Sequence, residues 1–164
     1  MKTPYRAFFS RDRIYRYGWW HRVAVSKHPL CVNFIMLNPS TADESHVDPT
    51  VRRCAGYARA WGYDYLAVTN LFAFRATDPR ALKTVDDPVG PRNDGFLRMT
   101  AKRADLVVAA WGNHGALHAR SAAVRKLLRG VPLTFLSLTK TGEPSHPLYL
   151  PSNLVPVEWT YHGV

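Results

Sequence analysis

Cysteine is nearly absent from this 164-residue chain, which has two, Cys31 and Cys54. Two thiols cannot build an iron–sulfur or multi-thiolate metal cage, and their places in a predicted strand and on a predicted helix face read as buried free thiols of a reducing compartment. Long apolar runs are missing too. None approaches the roughly 18 residues needed to span a bilayer, and the start MKTPYRAFF lacks the apolar core of a signal peptide. The expected location is the cytoplasm. No glycine-rich run follows any strand candidate, which removes phosphate-loop and dinucleotide fingerprints. Ser40, Ser137 and Ser145 lack the glycine-flanked strand-turn-helix elbow of a hydrolase nucleophile. Repeats, low-complexity tracts and linkers are also absent, so residues 1–164 read as one domain.

Acidic residues are scarce: 12 Asp and Glu stand against 22 Lys and Arg, a formal charge of +10. Such a field attracts polyanions, and nucleic acid or a phosphorylated ligand is the expected partner, with a merely solvated basic surface as the alternative. The arginines are dispersed over predicted helices and loops, which suits a basic face better than a flexible arm. Apolar residues at 46% and charged ones at 21% are ordinary for a chain that folds by itself.

Four short, continuous apolar segments, 31–37, 66–71, 106–111 and 133–138, read as strands covered on both faces, which means a parallel sheet between helices. Helices fill the gaps. One follows Asp48-Pro49-Thr50, with Val51, Cys54, Ala55, Ala58 and Trp61 at helical spacing; a second begins near Asn93-Asp94; a third carries Leu117, Val124, Leu127 and Leu128 and stops at Gly130. The predicted fold is an α/β three-layer αβα sandwich with a short, mainly parallel four-stranded sheet. The aromatic N-terminal segment over residues 8–25, with a turn at Gly18, reads as a hairpin or edge strands packed beside it. Its aromatic side chains read as structural.

In such a fold the loops after the strands share one edge, where ligands bind. Those loops hold Asn38-Pro39-Ser40-Thr41-Ala42-Asp43, Asn70-Leu71-Phe72, Trp111-Gly112-Asn113-His114, and a fourth stretch ending in Ser145-His146-Pro147. Asn38 beside a rigid proline turn can orient a water or a planar polar ligand, or cap its own backbone. Asn70 can offer donor and acceptor to the edge of a base, or satisfy backbone groups where the strand leaves the sheet. His146 can donate to a developing oxyanion or a leaving base, or be an ordinary loop histidine. Pro39, Ser40, Phe72, Ser145 and Pro147 complete the expected ligand-binding set. His114 and His118 have the i, i+4 spacing of metal ligands but no third partner at a useful spacing, so no metal and no cofactor are expected.

Taken together, FIMLNPSTAD with DPT, VTNLFAFRATDP, ND followed by VVAAWGNHG, and GEPSHPLYL resemble the domain of unknown function 1643 family over nearly the whole chain. The same order of features is similar, more distantly, to the uracil-DNA glycosylase superfamily. That resemblance implies a water-positioning role for Asn38, base reading by Asn70, a structural role for Trp111-Gly112, and stabilisation of the departing base by His146. Position 38 is Asn rather than Asp, and Leu148-Tyr149 stand where glycosylases carry a serine-rich segment and a wedge. The expected activity is binding of a nucleobase in nucleic acid or a nucleotide and hydrolysis of its N-glycosidic bond. A non-catalytic reader of nucleic acid or modified bases and a small-molecule nucleotide-processing enzyme are the alternatives.

Overall fold

Asp48 and Pro49 start a helix for the reason their order suggests. The Asp48 carboxylate accepts from the Val51 amide at 2.8 Å, and Pro49 occupies a first-turn position whose missing N–H leaves nothing unpaired. This helix is α1 (Pro49–Ala60); Val51, Cys54, Ala55 and Ala58 are buried along it, with Tyr57 beside them. Two further helices are α2 (Asn93–Arg103) and α3 (Arg120–Leu127). The computed structural model describes residues 5–41 and 48–160.

α3 is shorter than its periodicity suggests. Leu117 has extended backbone, His118 and Ala119 both take φ of 53°, and 113–119 forms a broken 3-10 segment before α3. His114 and His118 therefore do not share a regular helical face. Gly130, at φ +89°, closes the far end as predicted, in a conformation that favours glycine.

The strands are β1 (Tyr5–Phe9), β2 (Arg16–Arg22), β3 (Cys31–Met36), β4 (Tyr65–Asn70), β5 (Leu106–Ala109), β6 (Thr134–Phe135) and β7 (Val157–Glu158). They form one seven-stranded sheet in the order β1-β2-β4-β3-β5-β6-β7. Its centre, β4-β3-β5-β6, is wholly parallel. The expected four-stranded sheet is thus corrected. The aromatic segment forms both a hairpin and edge strands that extend the sheet, with β1 antiparallel to β2 and β2 antiparallel to β4 through Trp19↔Val68, and at the other edge β7 pairs antiparallel to β6.

Gly18 is not the hairpin turn. It sits inside β2, where the Trp20 ring lies so close that a Cβ would approach it to 2.5 Å. The reversal falls at residues 10–15, where the Ser10 hydroxyl accepts from the Tyr15 amide at 3.0 Å and Asp12 accepts from Ile14 at 3.1 Å.

Alternation along the strands divides the core in two. Val32, Phe34, Met36, Leu66 and Val108 pack with α1 residues such as Cys54 and Tyr57. Ile35, Leu37, Val107 and Ala109 pack on the other side with Leu97 of α2 and Val124 of α3. A sheet buried on both faces needs apolar residues at both parities, which is why its central strands read as continuous runs. Among the described residues no helix is long and apolar enough to cross a membrane.

Candidate functional site

The parallel strands deliver their carboxyl ends to one edge, and backbone pairing continues past them. Met36 lies opposite Asn70, and the amides of Leu71 and Phe72 donate to the carbonyls of Met36 and Leu37, each at 2.9 Å. Beyond, Ala76 N donates to Pro39 O at 3.0 Å. Asn38 is built into this junction. Its Nδ2 donates to Ala76 O at 2.8 Å and to Pro39 O at 3.1 Å, so both amide protons are committed and Oδ1 is the remaining acceptor. Such an oxygen can orient a water, but an amide has no basicity with which to deprotonate it.

Asn70 ends β4 with only 2% of its surface exposed, and its side-chain amide has no hydrogen-bond partner among the described residues. Its backbone is held firmly. Asn93, at the first position of α2, donates through Nδ2 to Asn70 O at 2.9 Å and Leu71 O at 3.0 Å. Arg120, buried at the start of α3, donates through Nε to Leu71 O at 2.8 Å while its Nη2 meets Asp94 Oδ1 at 2.6 Å. Asn93 Oδ1 is buried and unpartnered.

The His146 loop is fastened to the end of β5. Gly112 N donates to Pro144 O at 2.7 Å, and a Cβ on Gly112 would stand 3.9 Å from that of His146. Glu143 is the main anchor: its carboxylate accepts from Trp111 Nε1 at 2.6 Å and from the Ser121 hydroxyl at 2.8 Å. Ser145 N donates to Ser137 O at 2.9 Å. His146 then caps a short 3-10 turn (Pro147–Tyr149), its Nδ1 accepting from Leu148 N at 3.3 Å. That bond assigns the proton of the neutral ring to Nε2. Burial holds the imidazole below its ordinary pKa, against an opposing pull from the Asp48 carboxylate at the start of α1.

Asn38, Asn70 and His146 thus stand at the same edge: β3 is flanked by β4 on one side and by β5 on the other, and β5 runs on into the turn that touches His146. Half-buried Ser40, buried Pro39 and half-buried Ser145 adjoin them, and Pro147 is buried at the first position of the 3-10 turn. Phe72 does not join this group. None of its surface is exposed, and it packs in the core cluster of Ile35 and Leu37, so it has no face to give a ligand. Ala42 and Asp43 lie outside the described residues.

Asn93, Arg120 and Glu143 were not singled out by the sequence. Glu143 had a signal in GEPSH and Asn93 in the ND that opens the second helix, whereas Arg120 had none and reaches the edge through tertiary packing of α3. Among the described residues no cluster of three His, Cys, Asp or Glu side chains could hold a metal ion. The thiols are poor nucleophiles: burial and Asp105 push Cys31 up to about 11, and deeper burial raises Cys54 further.

No curated protein and no solved structure matches the chain. One family model does, described as protein of unknown function (DUF1643), over residues 16–148. That span runs from β2 to the turn after His146 and so includes every element that builds the edge described above; the chain belongs to the DUF1643 family.

Proposed function

We propose that the protein binds a nucleobase at this edge and hydrolyses its N-glycosidic bond, in the manner of the uracil-DNA glycosylases. The observation that carries the reading is the state of His146. A neutral imidazole with its proton on Nε2 is a donor that can meet negative charge developing on a departing base without itself having to lose a proton. Asn38 Oδ1 supplies an acceptor for an attacking water, and Asn70, buried at the end of β4 with its amide unpartnered among the described residues, has the paired donor and acceptor that the edge of a base requires once its side chain turns outward. The charge of +10 favours a polynucleotide substrate over a free nucleotide.

Incubation with DNA carrying assorted modified bases, read by mass spectrometry of the released bases, tests this. The wild-type protein should release one of them, His146→Ala should slow release by about 10²–10³-fold, the cost of removing one oxyanion donor, and Asn38→Ala should slow it as well. Both variants releasing the base at the wild-type rate would contradict the roles given to these residues.

A second reading is supported by Asn38 itself. An amide whose protons are both tied to carbonyls suits recognition without hydrolysis, which makes a non-catalytic reader of modified bases the alternative. Salt-dependent binding of the same DNA with no free base appearing would select it.

A further inference from the structure

A basic cleft runs along α1 beside the His146 turn. It encloses about 560 Å³ and is lined by Pro49, Arg52, Arg53, Gly56, Leu148 and Ser152 among others, with no acidic side chain in the lining among the described residues. Its size is that of an ordinary ligand site. The chain after His146 forms its outer wall and is pinned to the helix: Arg53 donates to Leu150 O, Tyr57 Oη donates to Pro151 O at 2.5 Å, and Trp61 Nε1 donates to Leu154 O at 3.0 Å.

Neither Arg52 nor Arg53 has an ion-pair partner among the described residues. Arg53 is held with its guanidinium carbon 5.6 Å from the centre of the Tyr57 ring, and its Nε is buried with no hydrogen-bond acceptor. With no carboxylate paired to them among the described residues, the two guanidinium charges suit phosphate oxygens. Asp48 is engaged with the first turn of α1 through Val51. On the outer wall Tyr149, next to Leu148, is 90% exposed, the most exposed large apolar side chain described. A ring that covers no core offers its face to a planar partner.

We propose that this cleft holds the sugar–phosphate backbone of a single nucleic-acid strand, with phosphate oxygens on Arg52 and Arg53 and an unpaired base stacked on Tyr149. A single strand fits better than a duplex because paired bases have both faces covered by their neighbours. The proposal deepens the base-binding reading and rests on it for the purpose of the strand. Its test does not need base release.

Binding of a fluorescent, unmodified oligothymidylate to the full-length protein is followed by anisotropy at several salt concentrations. Arg52→Gln, at an exposed position whose side chain has no hydrogen-bond or ion-pair partner among the described residues, should weaken binding several-fold and flatten the slope of log K against log salt by about 0.7, the loss of one single-strand phosphate contact. Tyr149→Ala should weaken single-strand binding by about tenfold and leave the slope and duplex binding unchanged. Arg98→Gln removes the same charge from exposed surface on α2, across the sheet, and should leave the affinity as it is. Equal effects of Arg52→Gln and Arg98→Gln, or a Tyr149→Ala variant that binds like wild type, would overturn the proposal. Because the strand carries no modified base, these results read the cleft alone; intact binding without release of any base from modified DNA would count against the hydrolysis and not against the cleft.

Discussion

Asn38 shows at the scale of one residue how a structural role and the role proposed for it share a side chain. One amide proton fastens the loop after β3 to the segment after β4 at Ala76 O, the other holds the loop's own turn at Pro39 O, and only the oxygen is left over. This explains why a carboxylate does not serve at this position. In Asn38→Asp the charged oxygens would face the carbonyls of Pro39 and Ala76, and the variant should lose about 1–3 kcal/mol in urea unfolding at neutral pH. An aspartate there that is as stable as wild type would mean that the two hydrogen bonds do not govern the loop.

His146 makes a second residue-scale prediction. Its native pKa lies below 6.5, so on acidification the unfolded chain takes up this proton before the folded one does. The contribution of His146 to stability is therefore complete above about pH 6.5 and declines as pH falls toward the depressed native value. Protonation of Nδ1 would also break the bond from Leu148. In His146→Gln this part of the acid destabilisation should disappear, which unfolding curves compared between pH 7 and pH 5 will show; identical pH profiles would contradict the depressed value.

Among the elements, the turn after β5 matters most for the site, because it carries Trp111 to Glu143 and so locates the His146 loop. Gly115 is what allows that turn. A Cβ there would fall 2.1 Å from Trp111 Cδ1, well inside contact distance. Gly115→Ala should cost about 1–3 kcal/mol, the usual range for overpacking a filled site, and should displace Trp111 from Glu143. Urea unfolding measures the first and the indole Nε1 proton resonance the second. An alanine variant with unchanged stability and an unshifted indole proton would show that the turn has room the geometry denies it.

The parts legible in the sequence were those set by local chemistry. The cap at Asp48-Pro49, the apolar face of α1, the stop at Gly130 and the continuous apolar central strands all follow from neighbours within a few residues. What local chemistry does not encode was missed. Gly18 looks like a turn residue and is in fact room for the Trp20 ring, a fact about packing. β7 has two exposed residues and no apolar alternation, so only its pairing with β6 reveals it. Phe72 was drawn to the site by its neighbour Asn70 but points into the core. Asn93 and Arg120 bracket the end of β4 from other helices, which no spacing along the chain could show.

On the scale of the whole molecule, a seven-stranded sheet with a parallel centre gathers three polar side chains, separated widely along the chain, at one edge of a strongly basic protein. The central claim is that Asn38, Asn70 and His146 act together on one base. Side-chain amide and imidazole resonances of the labelled protein, followed by NMR while a panel of free nucleobases is titrated in, test it most directly. The account predicts that one base shifts all three sets of signals along a common saturation curve, while Phe72 stays still. Shifts confined to other residues, or three signals that follow different curves, would contradict it.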